Sequence, residues 1–114
     1  MKSVISFFLS LLFCLSMSNA ALAVEASVTI QSPADGASLD VMAQNKVEYE
    51  VIPGPNGDHV HFYVDGDETA ILRQLKGSYT LGSLATGQHE LCIKVVNKNH
   101  TPIGVEKCIS VTVE

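Results

Sequence analysis

An antiparallel β-sandwich is the fold class this sequence predicts. Three observations carry the prediction. Apolar and polar residues alternate with period two in at least five segments. No apolar stripe of helical spacing runs to useful length, and turn residues recur every eight to twelve positions. The domain is read from residue 24 to residue 114, because residues 1–23 have a different character.

Lys2 gives the chain a positive start, residues 4–17 are almost wholly apolar, and Ala21-Leu22-Ala23 is a small-x-small cleavage site. That is a secretory signal peptide over residues 1–23, too short and wrongly flanked for a membrane span. A lipid anchor at Cys14 is disfavoured, since bulky Leu12 and Phe13 precede it where small residues are wanted. The product is expected in the periplasm or secreted, in an oxidising compartment, with no membrane association after cleavage. Of the 114 residues, 91 then remain, with 6 Lys/Arg against 12 Asp/Glu and two cysteines, Cys92 and Cys108. This is one small domain. A net negative chain without a basic cluster is a poor nucleic-acid binder.

The elements follow in order. Residues 27–31 form a first strand with Val28 and Ile30 on one face, and Ser32-Pro33-Ala34-Asp35-Gly36 is a turn. An extended piece is expected over 37–42. Residues 46–52 alternate cleanly, with Val47, Tyr49 and Val51 inward and the charges outward. The loop 53–58 carries Pro53 and Pro55, which have no ladder donor and cannot continue a central strand. Residues 59–64 are the next strand: Val60, Phe62 and Val64 share one face, and His59, His61 and Tyr63 share the other. Asp65-Gly66 signals a hairpin. Residues 69–73 suit an edge strand, and 78–81 a further short one before the loop 82–87.

Two strands, 89–96 and 105–113, close the chain around the loop 97–104. A register that sets Cys92 opposite Cys108 also sets Lys94 opposite Glu106, Val95 opposite Val105 and Leu91 opposite Ile109. One register thus yields an ion pair, apolar pairs and a cysteine pair together. It predicts a Cys92–Cys108 disulfide, with thiolate binding of a metal as the competing use of these residues. About seven short strands in some ninety residues specify an immunoglobulin-like or fibronectin-III-like sandwich. The antibody type is excluded: the chain has no Trp, and the cysteines do not sit on the second and sixth strands.

Chemistry concentrates in four histidines, His59, His61, His89 and His100. His-x-His on a strand places both rings on one face, roughly 7 Å apart at the backbone. In a sandwich that strand starts at the end where the loop 97–104 lies, so His100 joins the pair. Neutral imidazoles suit copper or zinc, and Asp58 could add an oxygen. The ligands must be neutral, so binding is expected to weaken below about pH 6.5. Asn99 and Pro102 are placed to fix the turn that carries His100. The plain alternative is that these histidines are solvated surface groups. His89 has the parity of Leu91 and Ile93 at the opposite end of the sheet and reads as a structural turn cap.

Catalysis finds no support: there is no Gly-x-Ser-x-Gly elbow, Walker loop or His-Glu-x-x-His. Acid pairs such as Glu48/Glu50 and Asp65/Asp67 fall on strand surfaces or turns, and the single Arg73 argues against an anion clamp.

Four segments together carry a family resemblance. They are the run from Gly57 to Gly66 (GDHVHFYVDG), the run from Leu84 to Leu91 (LATGQHEL), Asn99-His100-Thr101-Pro102, and the closing Ile109-Ser110-Val111-Thr112-Val113. The chain resembles a group of small bacterial periplasmic proteins of uncharacterised activity, with Ig-like sandwiches, a His-rich third strand and a late His-x-Pro element. The resemblance implies fold and compartment. Val60 interrupts the consecutive histidines of that group, and Ile103 stands where it places a second histidine after the proline, so a site built here is thinner.

Two function classes follow. The first is a non-catalytic binding or accessory module that holds an unidentified protein partner through loops or a sheet edge. The second is a periplasmic metal-binding protein using His59, His61 and His100 for copper or zinc.

Overall fold

The structure is a computed structural model that describes residues 24–114; the signal-peptide reading of residues 1–23 falls outside the described residues. Eight strands occur in chain order: β1 (Ser27–Ser32), β2 (Ala37–Leu39), β3 (Lys46–Ile52), β4 (His59–Val64), β5 (Asp67–Leu72), β6 (Lys76–Thr80), β7 (Gly87–Val96) and β8 (Pro102–Val113). They build two sheets, one of order β1-β3-β6 and one of order β2-β8-β7-β4-β5. The all-β sandwich is as the alternation predicts. The strand beyond the predicted seven or so is three-residue β2, which pairs in parallel with β8 at the sheet edge.

The core is the apolar half of each alternating strand. Val47, Tyr49 and Val51 of β3 face Val60 and Phe62 of β4, Leu91, Ile93 and Val95 of β7, and Ile109, Val111 and Val113 of β8. Burying these side chains is the main stabilising term, at about 1.5–3 kcal/mol for each Val, Leu, Ile or Phe fully withdrawn from water. Tyr49 is also buried, and its hydroxyl donates to the Gln74 carbonyl at 2.8 Å, so its polar tip is satisfied.

The β7–β8 ladder has Cys92 opposite Cys108, Lys94 opposite Glu106 and Leu91 opposite Ile109, as the sequence predicts. The cysteines are joined by a disulfide, and Lys94 Nζ lies 3.8 Å from Glu106 Oε2. The expected Val95–Val105 pair is not formed. The register shifts after Lys94, and Val96 pairs with Pro102. Gly104 sits in the left-handed region (φ 87°), which lets β8 bulge there and keeps Val95 in the core.

This shift sets the position of the 97–101 loop. The ladder ends at Val96–Pro102, so β7 and β8 leave a five-residue loop at the end where β4 begins. There His59 is opposite Val96, and the Asp58 N–H donates to the Val96 carbonyl at 2.8 Å.

Candidate metal centre

His59 and His61 come from β4, in the middle of the five-stranded sheet. Their faces follow the alternation: Val60 and Phe62 point into the sandwich, and the histidines point out. The alternative, that His59 and His61 are solvated surface groups, does not hold. His59 is 1% and His61 3% exposed, and their neighbour Val96 is fully buried. The cover is the 97–101 loop, which brings the His100 ring to within 4.6 Å of the His59 ring and 5.2 Å of the His61 ring, between centroids.

That loop is shaped by Asn97, whereas the sequence reading gave the role to Asn99 and Pro102. The Asn97 side-chain oxygen accepts the N–H groups of Asn99 (2.9 Å) and Thr101 (3.0 Å). The Asn97 N–H donates to the Thr101 carbonyl (2.9 Å), and the His100 N–H to the Asn97 carbonyl (3.0 Å). His100 is held in the left-handed region (φ 63°), an uncommon setting for a non-glycine residue. Pro102 begins β8 instead of turning the loop. On the other side, Gly57 allows the close approach that leads into β4: a Cβ there would collide with the Pro53 carbonyl oxygen and Val95 Cγ1.

Three ring nitrogens converge. His59 Nε2 and His61 Nε2 are 3.2 Å apart, and His100 Nδ1 is 3.0 Å from each. The outer nitrogens of the strand pair face carboxylates. His59 Nδ1 lies 2.9 Å from Asp58 Oδ2, and His61 Nδ1 lies 2.9 Å from Glu68 Oε1. An ionised carboxylate only accepts, so each fixes the ring proton on Nδ1 and leaves Nε2 as a bare lone pair. With all rings neutral, at most one proton, on His100 Nδ1, is left to stand among the three inner nitrogens. Two Nε2 lone pairs therefore face one another at 3.2 Å. A cation satisfies that arrangement better than a single proton does.

The electrostatics agree with a neutral His61. Burial holds the His61 ring below the ordinary histidine range, more strongly than Glu68 raises it. The His59 ring holds the Asp58 carboxyl below the usual carboxylate range by its hydrogen bond. With a metal at about 2.05 Å from each nitrogen, separations of 3.0–3.2 Å correspond to N–M–N angles of about 95–103°. Such angles lie between octahedral and tetrahedral values, so the three nitrogens would cap one side of the ion and leave its other side open to a further ligand.

Asp58 does not add an oxygen to this set; it lies behind the His59 ring, on the Nδ1 side. Carboxylates behind ligating histidines orient the ring and raise its basicity. Glu68 was not singled out from the sequence, though a signal existed. The two-residue turn Asp65-Gly66 sets Glu68 opposite Tyr63, on the histidine face of β4. Cys92, Cys108 and Glu90 also lie close together, but the cysteines are consumed in the disulfide and offer no thiolate. His89 stands apart, as read from the sequence. Its Nδ1 lies 2.6 Å from Asp65 Oδ2 and its Nε2 2.7 Å from the Ala85 carbonyl oxygen.

No protein-family model matches the chain, and no curated protein matches it in sequence. Solved structures do resemble it. Fibronectin(III)-like modules of Clostridium thermocellum CbhA align with a TM-score of 0.63 at 16% identity, over 76% of this chain and 95% of that one. An engineered protein aligns with a TM-score of 0.55 at 20% identity, over 79% of this chain and 20% of that one. At such identities the likeness is one of fold, and it places this chain among the fibronectin-III-like sandwiches.

Proposed function

We propose that this protein is a non-catalytic extracytoplasmic module that binds one transition-metal cation, copper or zinc, through His59, His61 and His100. One observation carries the reading: three imidazole nitrogens within 3.2 Å of one another, two of them backed by carboxylates on the opposite ring nitrogen. Solvated surface histidines have no reason to converge in this way, and two of these, His59 and His61, are buried. The leader at residues 1–23 and the Cys92–Cys108 disulfide support an oxidising compartment outside the cytoplasm.

Calorimetric titration of the purified protein with Zn²⁺ or Cu²⁺ at neutral pH tests the reading. One-to-one binding at micromolar affinity or better is expected, lost in His61→Ala and retained in His89→Ala. No heat with either ion, or equal loss in His89→Ala, would sink it.

A second reading, an accessory module for a protein partner, has its own motive. Val41 and Met42 are exposed beside an open groove of about 360 Å³ that Leu81 and Leu84 also line. Partner capture that survives the combined His59→Ala and His61→Ala changes would favour it, since this groove does not include the histidines.

A further inference from the structure

We infer that Asp58 and Glu68 make the three-histidine centre selective for a divalent over a monovalent cation. The inference rests on the metal-binding reading above and goes beyond it, by assigning the choice of ion charge to two residues that are not ligands.

Charge is the first argument. The three neutral rings contribute no net charge, and the two carboxylates contribute two negative charges through hydrogen bonds of 2.9 Å to the ring N–H groups. A divalent ion brings this assembly to neutrality. A monovalent ion leaves one negative charge uncompensated. Solvent screens part of it, since the Asp58 and Glu68 side chains are 34% and 45% exposed, but both carboxylates are bonded to buried rings that carry their field to the ion. Arg73 and Lys98 also act on Asp58, and Arg73 on His61, but neither is bonded to a ligand ring as the two carboxylates are, and both are exposed and screened by solvent.

Geometry gives the second argument. Nitrogens 3.0–3.2 Å apart hold an ion about 1 Å out of their plane, with a fourth position open, as four-coordinate zinc requires. A planar three-coordinate arrangement, suited to a monovalent ion, needs separations of about 3.5 Å at the same bond length.

The third argument is the absence of sulfur. Monovalent copper is selected by thiolate and thioether ligands. Among the described residues the cysteines are locked in the disulfide, and the methionine, Met42, is 89% exposed and belongs to the groove lining and not to the histidine cluster.

The experiment compares Zn²⁺ with Ag⁺, both redox-inert, in competition titrations in chloride-free buffer. It uses protein purified from the periplasm after export, as wild type, Glu68→Gln and Asp58→Asn. The amide oxygens still accept from the ring N–H, so orientation and tautomer are kept while the charge is removed. Each variant is expected to lose Zn²⁺ affinity by about ten-fold or more. Ag⁺ affinity should fall by only about three-fold, because the lost Coulomb attraction scales with ion charge. The Zn²⁺/Ag⁺ ratio therefore drops in each variant.

Equal factors for both ions would overturn the inference and leave the carboxylates with an orienting role only. Wild type binding Ag⁺ as tightly as Zn²⁺ would overturn it while leaving metal binding intact. Wild type binding neither ion would overturn the centre itself. Should Glu68→Gln fail to fold, Asp58→Asn carries the same comparison.

Discussion

The protein carries one lone histidine and one cluster of three at opposite ends of β4, and their hydrogen bonds are opposite in kind. At one end His89 meets an acceptor on each ring nitrogen, Asp65 Oδ2 and the Ala85 carbonyl oxygen. Only an imidazolium, with both nitrogens protonated, donates to both. Its pKa is accordingly raised, chiefly by the Asp65 hydrogen bond, and it ties the turn after β4 to the loop before β7. At the other end His59, His61 and His100 turn their inner nitrogens toward one another, each within 3.2 Å of the other two. The first site is complete with a proton; on the proposed reading, the second is completed by a cation. What a histidine does is thus decided by the groups its two nitrogens face, and not by its presence on a strand.

The comparison can be broken most directly at the ligands. His61→Ala should abolish tight metal binding and the accompanying thermal stabilisation, which at a hundred-fold excess over Kd is about 2.7 kcal/mol. His89→Ala should leave both unchanged. Matched calorimetry and melting curves with and without Zn²⁺ check the pair, and metal-dependent stabilisation persisting in His61→Ala would erase the distinction between the two ends.

A second test asks whether the outer face acts as one unit. Cys92 and Cys108, 16 residues apart in sequence, lie on the same face as the histidines. Replacing both by Ser should destabilise the protein by about 3 kcal/mol in the chain-entropy account. Metal affinity should stay within a few-fold, because Cys92 and Cys108 lie outside the histidine group. Urea unfolding with and without Zn²⁺ would separate the two effects; loss of the metal response alone would show that the disulfide holds the centre.

Asn97→Ala sharpens the role of the loop. The change removes two hydrogen bonds that hold residues 97–101 in place. At about 1 kcal/mol each, up to about a thirty-fold loss of affinity is expected if only the bound loop must now be ordered. The kinetic signature is faster metal release, measurable by stopped-flow chelation. An unchanged release rate would mean that His100 is held by something other than Asn97.

The smallest effect is at His89. Its folded pKa is raised, so its contribution to stability is complete below about pH 6.5 and is lost as pH rises through the higher folded value. Asp65 is depressed by bonds from Glu90 and His89, so its share is present above the ordinary Asp pKa and lost only as pH falls through the lower folded value. The pair therefore stabilises most between those limits, around pH 5–6. Asp65→Asn, which retains the left-handed turn conformation that Asn tolerates, should cost about 0.5 kcal/mol at pH 5.5, after discounting for the exposure of Asp65, and less at pH 9. Melting temperatures of both proteins across that range check the sign; a gap that widens toward alkaline pH would contradict it.

Much of this was legible in the chain. Alternation assigned the faces of β3, β4, β7 and β8, because side chains on a strand alternate whatever lies around it. The pairing of Cys92 with Cys108, Lys94 with Glu106 and Leu91 with Ile109 was recoverable because several side-chain preferences agreed on one register. His59, His61 and His100 could be named together from strand parity and loop position alone. The bulge at Gly104 was not legible: a single register was carried to Val95–Val105, and local pattern does not mark where a ladder slips.

By itself, then, the sequence determined the sandwich, its inward face, the disulfide and the three histidines as one group. Only the tertiary structure decided that two of these histidines are buried, that Asp58 and Glu68 stand behind them, and that Asn97 shapes the loop above. The physical reason is that period-two alternation tells which way a side chain points, and not what comes to cover it. That cover is a loop returning from 41 residues away in sequence, and its path depends on where the β7–β8 ladder ends.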